Sequence, residues 1–133
     1  ATAGGSRRRT RHVLRTMEAI WTEPERRWTL ADLAARAHVS ASHLAHIFRA
    51  EVGVSVYGYV LRSRLARALD AVLDSNAGLI AIALDAGFAS HSHFTARFGA
   101  LFGQTPLELR RGVDAATARR LRRIVTAREP LAA

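Results

Sequence analysis

From Val13 to Val125 the apolar positions recur at spacings of three and four, and nowhere do Val, Ile and Thr alternate over the length of a strand. That period predicts an all-α chain. Val13, Met17, Ile20 and Trp21 make one stripe of a first helix that ends near Pro24. Thr29 with Asp32 resembles a capping box ahead of a short second helix, whose apolar face is Leu30, Leu33, Ala34 and Ala37. Ser40 caps a third, with Leu44, Ile47, Phe48 and Val52 at core spacing and Gly53 as its stop.

A longer helix is expected from the cap Ser55, burying Tyr57, Leu61, Leu65, Ala68, Leu69, Val72 and Leu73 and closing in the turn-forming run Asp74 to Gly78. Leu79 to Ala86 reads as a short helix broken at Gly87. Ser90 or Ser92 caps the next, which buries Phe94, Phe98, Leu101 and Phe102 and stops at Gly103. Thr105, Pro106 and Glu108 then read as a cap, a proline in the first turn and a capping-box acid. About seven helices result.

The second half repeats the first. Shifted by 50, Ser40, Ser42, His43, Phe48, Ala50 and Gly53 meet Ser90, Ser92, His93, Phe98, Ala100 and Gly103. Upstream the shift falls to 49, Leu33-Ala34 meeting Ile82-Ala83, so the second turn holds one extra residue. Two units of short helix, tight turn and capped helix are the helix-turn-helix layout, present twice. One such match is weak, because any helical corner imitates it. Two in register, joined by one helix, are far more specific.

Composition adds limits. At 49% hydrophobic the chain has material for a core, and no apolar run approaches the ~20 residues that span a bilayer. No secretory h-region is recognisable at the start, and Ala1 to Ser6 reads as a linker, which makes the chain a candidate fragment of something longer. The absence of Cys removes disulfides, thiolate zinc sites and cysteine nucleophiles, and fits a reducing cytoplasm. The net charge of +9 is carried by Arg alone, with no Lys, and suggests a polyanionic partner: nucleic acid first, an anionic membrane surface second. Its placement qualifies this. From His12 to Leu109 nine Arg face nine acids, so the excess sits in the arm 7–11 and in the tail from Arg110.

The residues Leu33-Ala34, Ser40, Leu44, Phe48, Gly53, Ser55, Tyr59, Arg64, Ala68, Ile82-Ala83, Gly87-Phe88, Ser90, Phe94, Phe98, Gly103 to Pro106 and Arg110 carry a close resemblance to the AraC/XylS family of bacterial transcription regulators. The resemblance covers roughly residues 12–111. It implies a homeodomain-like pair of helix-turn-helix subdomains on a central helix, and, in most members, a separate effector-binding or dimerisation domain outside this chain. Many members carry a basic residue where this chain has Ala96, with Arg97 one position later. Gly99 stands where the family usually has Lys or Arg. Weaker base reading by the second unit is therefore expected.

The expected organisation is a disordered basic arm or linker over 1–11, a DNA-binding domain over 12–111 and a basic tail over 112–133. Within the domain, helix-turn-helix units at 30–53 and 79–103 flank a linker helix at 55–74. That helix, ~28 Å long at 1.5 Å per residue, is of the order of the ~34 Å between successive major grooves on one side of B-DNA. A groove-reading helix needs one apolar face to fix it and an opposite face of polar or basic side chains. On a wheel of ~100° per residue that face is Ser42, Ala45, His46 and Arg49 in the first unit, and Ser92, Thr95 and Ala96, with His91 at the entrance, in the second. Ser40, Ser90, Arg97, Thr105, Arg110 and Arg111 are the candidates for phosphate contact. Trp21 and Trp28 read as core or subdomain-edge aromatics, and Arg62, Arg64 and Arg67 as partners of acids such as Asp70 and Asp74. The tail 114–128 fits an amphipathic helix with Ala118, Leu121 and Val125 inward; its Arg119, Arg120, Arg122 and Arg123 grip phosphate or are merely solvated.

No metal or cofactor is expected: His43 and His46 are three apart, His91 and His93 two apart, and neither pair has the other ligands a metal needs. Nor is catalysis, since no phosphate-cradling glycine loop or paired acids beside a His appear. The expected function is sequence-specific reading of double-stranded DNA in two neighbouring major grooves by a cytoplasmic, nucleoid-associated regulator that also meets RNA polymerase and no membrane. The alternative is a helical protein-interaction adaptor or anti-regulator that kept the fold without the DNA.

Overall fold

A computed structural model describes residues 10–126, which form eight α-helices and no strand. They are α1 (Arg11–Thr22), α2 (Leu30–Ala37), α3 (Ala41–Val52), α4 (Val56–Asp74), α5 (Leu79–Asp85), α6 (His91–Phe102), α7 (Pro106–Arg111) and α8 (Ala115–Thr126). The count exceeds the expected seven because the tail contributes α8. Most of the arm expected over 1–11, residues 1–9, lies outside the described residues, while Thr10 caps α1 and Arg11 opens it. Two compact units divide inside α4, between Leu61 and Arg62.

In the first unit α1, α2, α3 and the first turns of α4 enclose Val13, Met17, Ile20, Leu33, Leu44, Phe48, Val52, Val56 and Tyr59. Tyr59 is fully buried, accepts from Trp21 Nε1 at 2.5 Å and meets Phe48 edge to face at 5.4 Å. Tyr57, expected on that face, is 59% exposed instead. The helix turns so that residues 56, 59 and 60 point inward, and a tyrosine at 57 falls outside the stripe. Thr29 and Asp32 form the expected capping box of α2. Between α2 and α3 the chain reverses through His38, at φ 60°, the sole non-glycine residue of positive φ described. Trp28 sits at the edge of the unit, donating to the Glu23 carbonyl at 2.9 Å beneath the guanidinium groups of Arg26 and Arg36.

In the second unit Phe88, Phe94, Phe98 and Phe102 stack in sequence with ring centroids 5.3, 5.5 and 4.6 Å apart. Leu65, Leu69 and Val72 of α4, Ile82 of α5 and Leu109 of α7 are buried as well. The turn from α5 to α6 passes through Gly87 at φ 88°, where an added Cβ would lie 3.0 Å from Arg64 Nε. Arg64 thus lies across the turn. Ser90, not Ser92, caps α6, and Thr105 with Glu108 forms the capping box of α7. Asp70 and Asp74 both bind Arg122 of α8, at 3.1 and 2.7 Å. Arg62 donates to the Ile124 carbonyl at 3.0 Å, and Leu121 and Val125 are buried, so α8 is docked rather than loose.

The two parts of α4 match different helices elsewhere. Ser55, Val56 and Tyr59 correspond, fifty positions on, to Thr105, Pro106 and Leu109 of α7, with a cap followed by two buried residues in each. Leu61, Leu65, Ala68 and Leu69 correspond, forty-eight positions back, to Val13, Met17, Ile20 and Trp21 of α1.

Candidate nucleic-acid interface

Each unit holds one capped helix of twelve residues against its core and turns the other face outward. In α3 the Ser40 hydroxyl accepts from the His43 amide at 3.1 Å and fixes the start of the helix. Leu44 and Phe48 are fully buried and lock its rotation. Ser42, His46 and Arg49 are then exposed and Ala45 half-buried, and these four line one shallow concavity with Ala50. The four residues expected on one face share it. The surface carries one permanent cation, one imidazole, one hydroxyl and two methyls, which are donors and apolar contacts of the kind base edges accept.

In α6 the Ser90 hydroxyl accepts from the His93 amide at 3.0 Å, and Phe94 and Phe98 are fully buried. His91, Ser92, Ala96 and Arg97 are exposed. His93 points elsewhere, its ring packed on Phe88 at 5.4 Å. Thr95 departs from expectation. Its residue is half-buried, but the hydroxyl oxygen is buried and has no hydrogen-bond partner, so that oxygen is not among the atoms it exposes. An added Cβ at Gly99 would meet nothing within 4 Å.

Two phosphate candidates are engaged elsewhere. Arg110 donates from Nε to Val72 O at 3.2 Å, from Nη2 to Ala71 O and Ser75 O at 3.2 and 2.9 Å, and from Nη1 to Ala77 O. These are the carbonyls that the end of α4 leaves without intrahelical donors, and a cation there also opposes the negative end of the helix. Arg110 is therefore a cap of α4. Thr105 gives its amide to Glu108 Oε1 at 2.7 Å, and its hydroxyl accepts from the Glu108 amide at 3.1 Å; that carboxylate would repel a phosphate. Arg111, like Arg97, is exposed, and Ser40 and Ser90 sit at the two helix entrances.

Sequence reasoning missed the Arg110 cap, the seating of Arg122 and the place of Arg64 over Gly87. Residue spacing along one helix carries no signal for a guanidinium that reaches back 33 to 52 positions, as those of Arg110 and Arg122 do. Among the described residues no three His, Asp or Glu side chains gather to hold a metal, and no helix is long and apolar enough to cross a membrane.

A family described as a helix-turn-helix domain matches residues 33–112. An AraC-like transcription regulator of Streptomyces lividans is 35% identical over 99 residues, which are 74% of this chain and 33% of that protein. An AraC-type DNA-binding-domain regulator of Chromobacterium violaceum superposes with a TM-score of 0.72 at 26% identity, covering 75% of this chain and 89% of the other. The DNA-binding domain of AdpA, solved with a target DNA, shares the fold with a TM-score of 0.70 at 22% identity, over 84% of this chain and 97% of that one. The chain spans about a third of the length of the curated relatives it matches.

Proposed function

The chain belongs to the AraC family of helix-turn-helix proteins, and from that premise we propose that it is the sequence-specific DNA-reading part of a transcription regulator. One observation carries the reading. Twice in the chain a serine-capped helix is fixed by fully buried residues on one side and presents small polar, imidazole or guanidinium groups on the other. Such a helix fits a major groove, where each base pair shows its own donors and acceptors.

In the first reader His46 and Arg49 donate to guanine edges, Ser42 pairs with several bases, and Ala45 packs on a thymine methyl. In the second, His91 and Ser92 donate and Ala96 supplies an apolar contact, while Thr95 must rotate its hydroxyl outward to join them. Ser40 and Ser90 place helix N-termini at phosphates, and Arg97 and Arg111 add charge there. Units in tandem on one chain suit two neighbouring grooves. RNA polymerase and an effector-binding or dimerisation domain are the protein partners that go with this role, in a cytoplasmic, nucleoid-bound setting. No chemistry is assigned to the chain.

Selection of duplexes from a random pool tests the reading. Enrichment of one motif, bound far more tightly than scrambled duplex at 0.15 M salt, is the expected result. Binding that ignores sequence, or no binding at all, would leave the adaptor reading in its place.

A further inference from the structure

We propose that Gly99 is a specificity-determining residue of the second reader, whose missing side chain leaves room for a thymine methyl against the backbone of α6; this rests on the DNA-binding reading above. With Phe94 at zero on a wheel of about 100° per residue, Ser92 and Ala96 fall about 160° away and Gly99 about 140°. Phe94 and Phe98 are fully buried, so Gly99 stands on the side of α6 turned from the core.

Nothing within the unit calls for a glycine there. Gly99 lies inside the helix, where glycine is among the least favourable residues. Its φ is not positive, and a Cβ added to it would meet nothing within 4 Å. Gly58 of α4, the other glycine inside a helix among the described residues, is different. A Cβ there would lie 3.3 Å from the Ser55 hydroxyl oxygen, which accepts from the Gly58 amide at 3.0 Å. The internal repeat points the same way. Fifty positions back, Arg49 and His46 hold the places of Gly99 and Ala96, and both are exposed side chains of the first reader. One copy thus carries a full guanidinium where the other carries no side chain, and the difference falls on the outer surface.

What the second reader offers at that place is carbon. Ala96 is exposed, Gly99 adds bare backbone, and Thr95 keeps its hydroxyl oxygen buried. Among the base edges of the major groove, the apolar group is the methyl of thymine. Glycine lets a backbone approach a ligand closely, so the methyl enters the space that a Cβ would otherwise fill. Selection there is by shape, without a donor.

The test uses the full chain and its Gly99→Ala variant on the selected duplex, with each thymine in turn replaced by deoxyuridine, which lacks only the methyl. Both chains are also melted in urea. The variant should unfold at a higher urea concentration than the wild type, since alanine favours the helix and meets nothing. At one thymine, deoxyuridine should weaken the wild type about fourfold, the worth of one buried methyl. The variant should bind the thymine duplex at least about fourfold less tightly than the wild type does, and lose nothing further at that deoxyuridine. A variant with wild-type affinity and the wild-type deoxyuridine profile overturns the inference and leaves the DNA-binding reading standing. So does a variant weakened alike on selected and scrambled duplexes, which would put a phosphate rather than a methyl against Gly99. A variant that unfolds at lower urea overturns it too, because glycine would then serve the fold. A wild-type chain that binds no duplex overturns both.

Discussion

His38 and Gly87 stand at the same point of the two turns, forty-nine positions apart, and both take positive φ, 60° and 88°. The left-handed region costs a residue with a Cβ roughly 1–2 kcal/mol. Gly87→Ala should therefore destabilise the fold by about that much, and more if Arg64, 3.0 Å from the new Cβ, cannot move. His38→Gly should change stability the other way, by up to about 1 kcal/mol, because glycine's freedom in the unfolded chain offsets part of the relief. Urea melts of the two variants check both signs. At the readers, a bidentate or charged base contact is worth about 1–3 kcal/mol of discrimination, and a lone hydroxyl or methyl less. His46→Ala with Arg49→Ala should flatten base preference in one half of the site. His91→Ala with Thr95→Ala should lower affinity modestly and leave the motif recognisable. Competition against single-base variants decides this, and a larger loss in the second half would mean that Arg97 enters the groove. The outward faces were legible because helical period alone divides the buried Leu44 and Phe48 from the exposed His46 and Arg49. The direction of the Thr95 hydroxyl was not, since a rotamer answers to local packing and leaves no trace in spacing.

Helix ends carry much of the architecture, and those of α2, α7 and α8 rest on carboxylates. Glu108 is held below its ordinary range chiefly by the Thr105 backbone amide, and Asp114 by that of Thr117, with Arg111 and with Arg119 and Arg120 as smaller influences. A carboxyl whose value falls on folding contributes stability that is present above its unfolded value and is lost as pH falls through the folded one. The starts of α7 and α8 should therefore fray only below about pH 4, while α3, whose cap is the Ser40 hydroxyl, stays formed. Amide exchange at Thr105 and Thr117 measured down the acid limb checks this; equal protection at about pH 5 and pH 2.5 would contradict it. The capping boxes at Thr29 and Thr105 were legible because their signal lies within four residues. The cap that Arg110 places on α4 was not, for its partners at Ala71, Val72, Ser75 and Ala77 are brought near only by the fold. Amphipathic spacing foretold α8, but its seat depends on Asp70 and Asp74, which the sequence equally offered to neighbouring arginines.

For the molecule as a whole, the two helix-turn-helix units are repeats in tandem on one chain, joined head to tail in sequence. The selected site should accordingly be an asymmetric stretch of about 20 base pairs occupied by a single chain. Sedimentation of the complex and footprinting check this, and dimers on a palindrome would be the contrary result.

The division inside α4 falls in a helix that serves both units. Its first part is the counterpart of α7 and its second part the counterpart of α1, so the closing helix of one unit has become the opening helix of the next. That is the seam a tandem gene duplication would leave if the copies were spliced without a spacer. A fragment ending at Leu61 keeps six residues of α4, as many as its counterpart α7 has, and Val56, Tyr59 and Val60 among them are packed in the first unit's core.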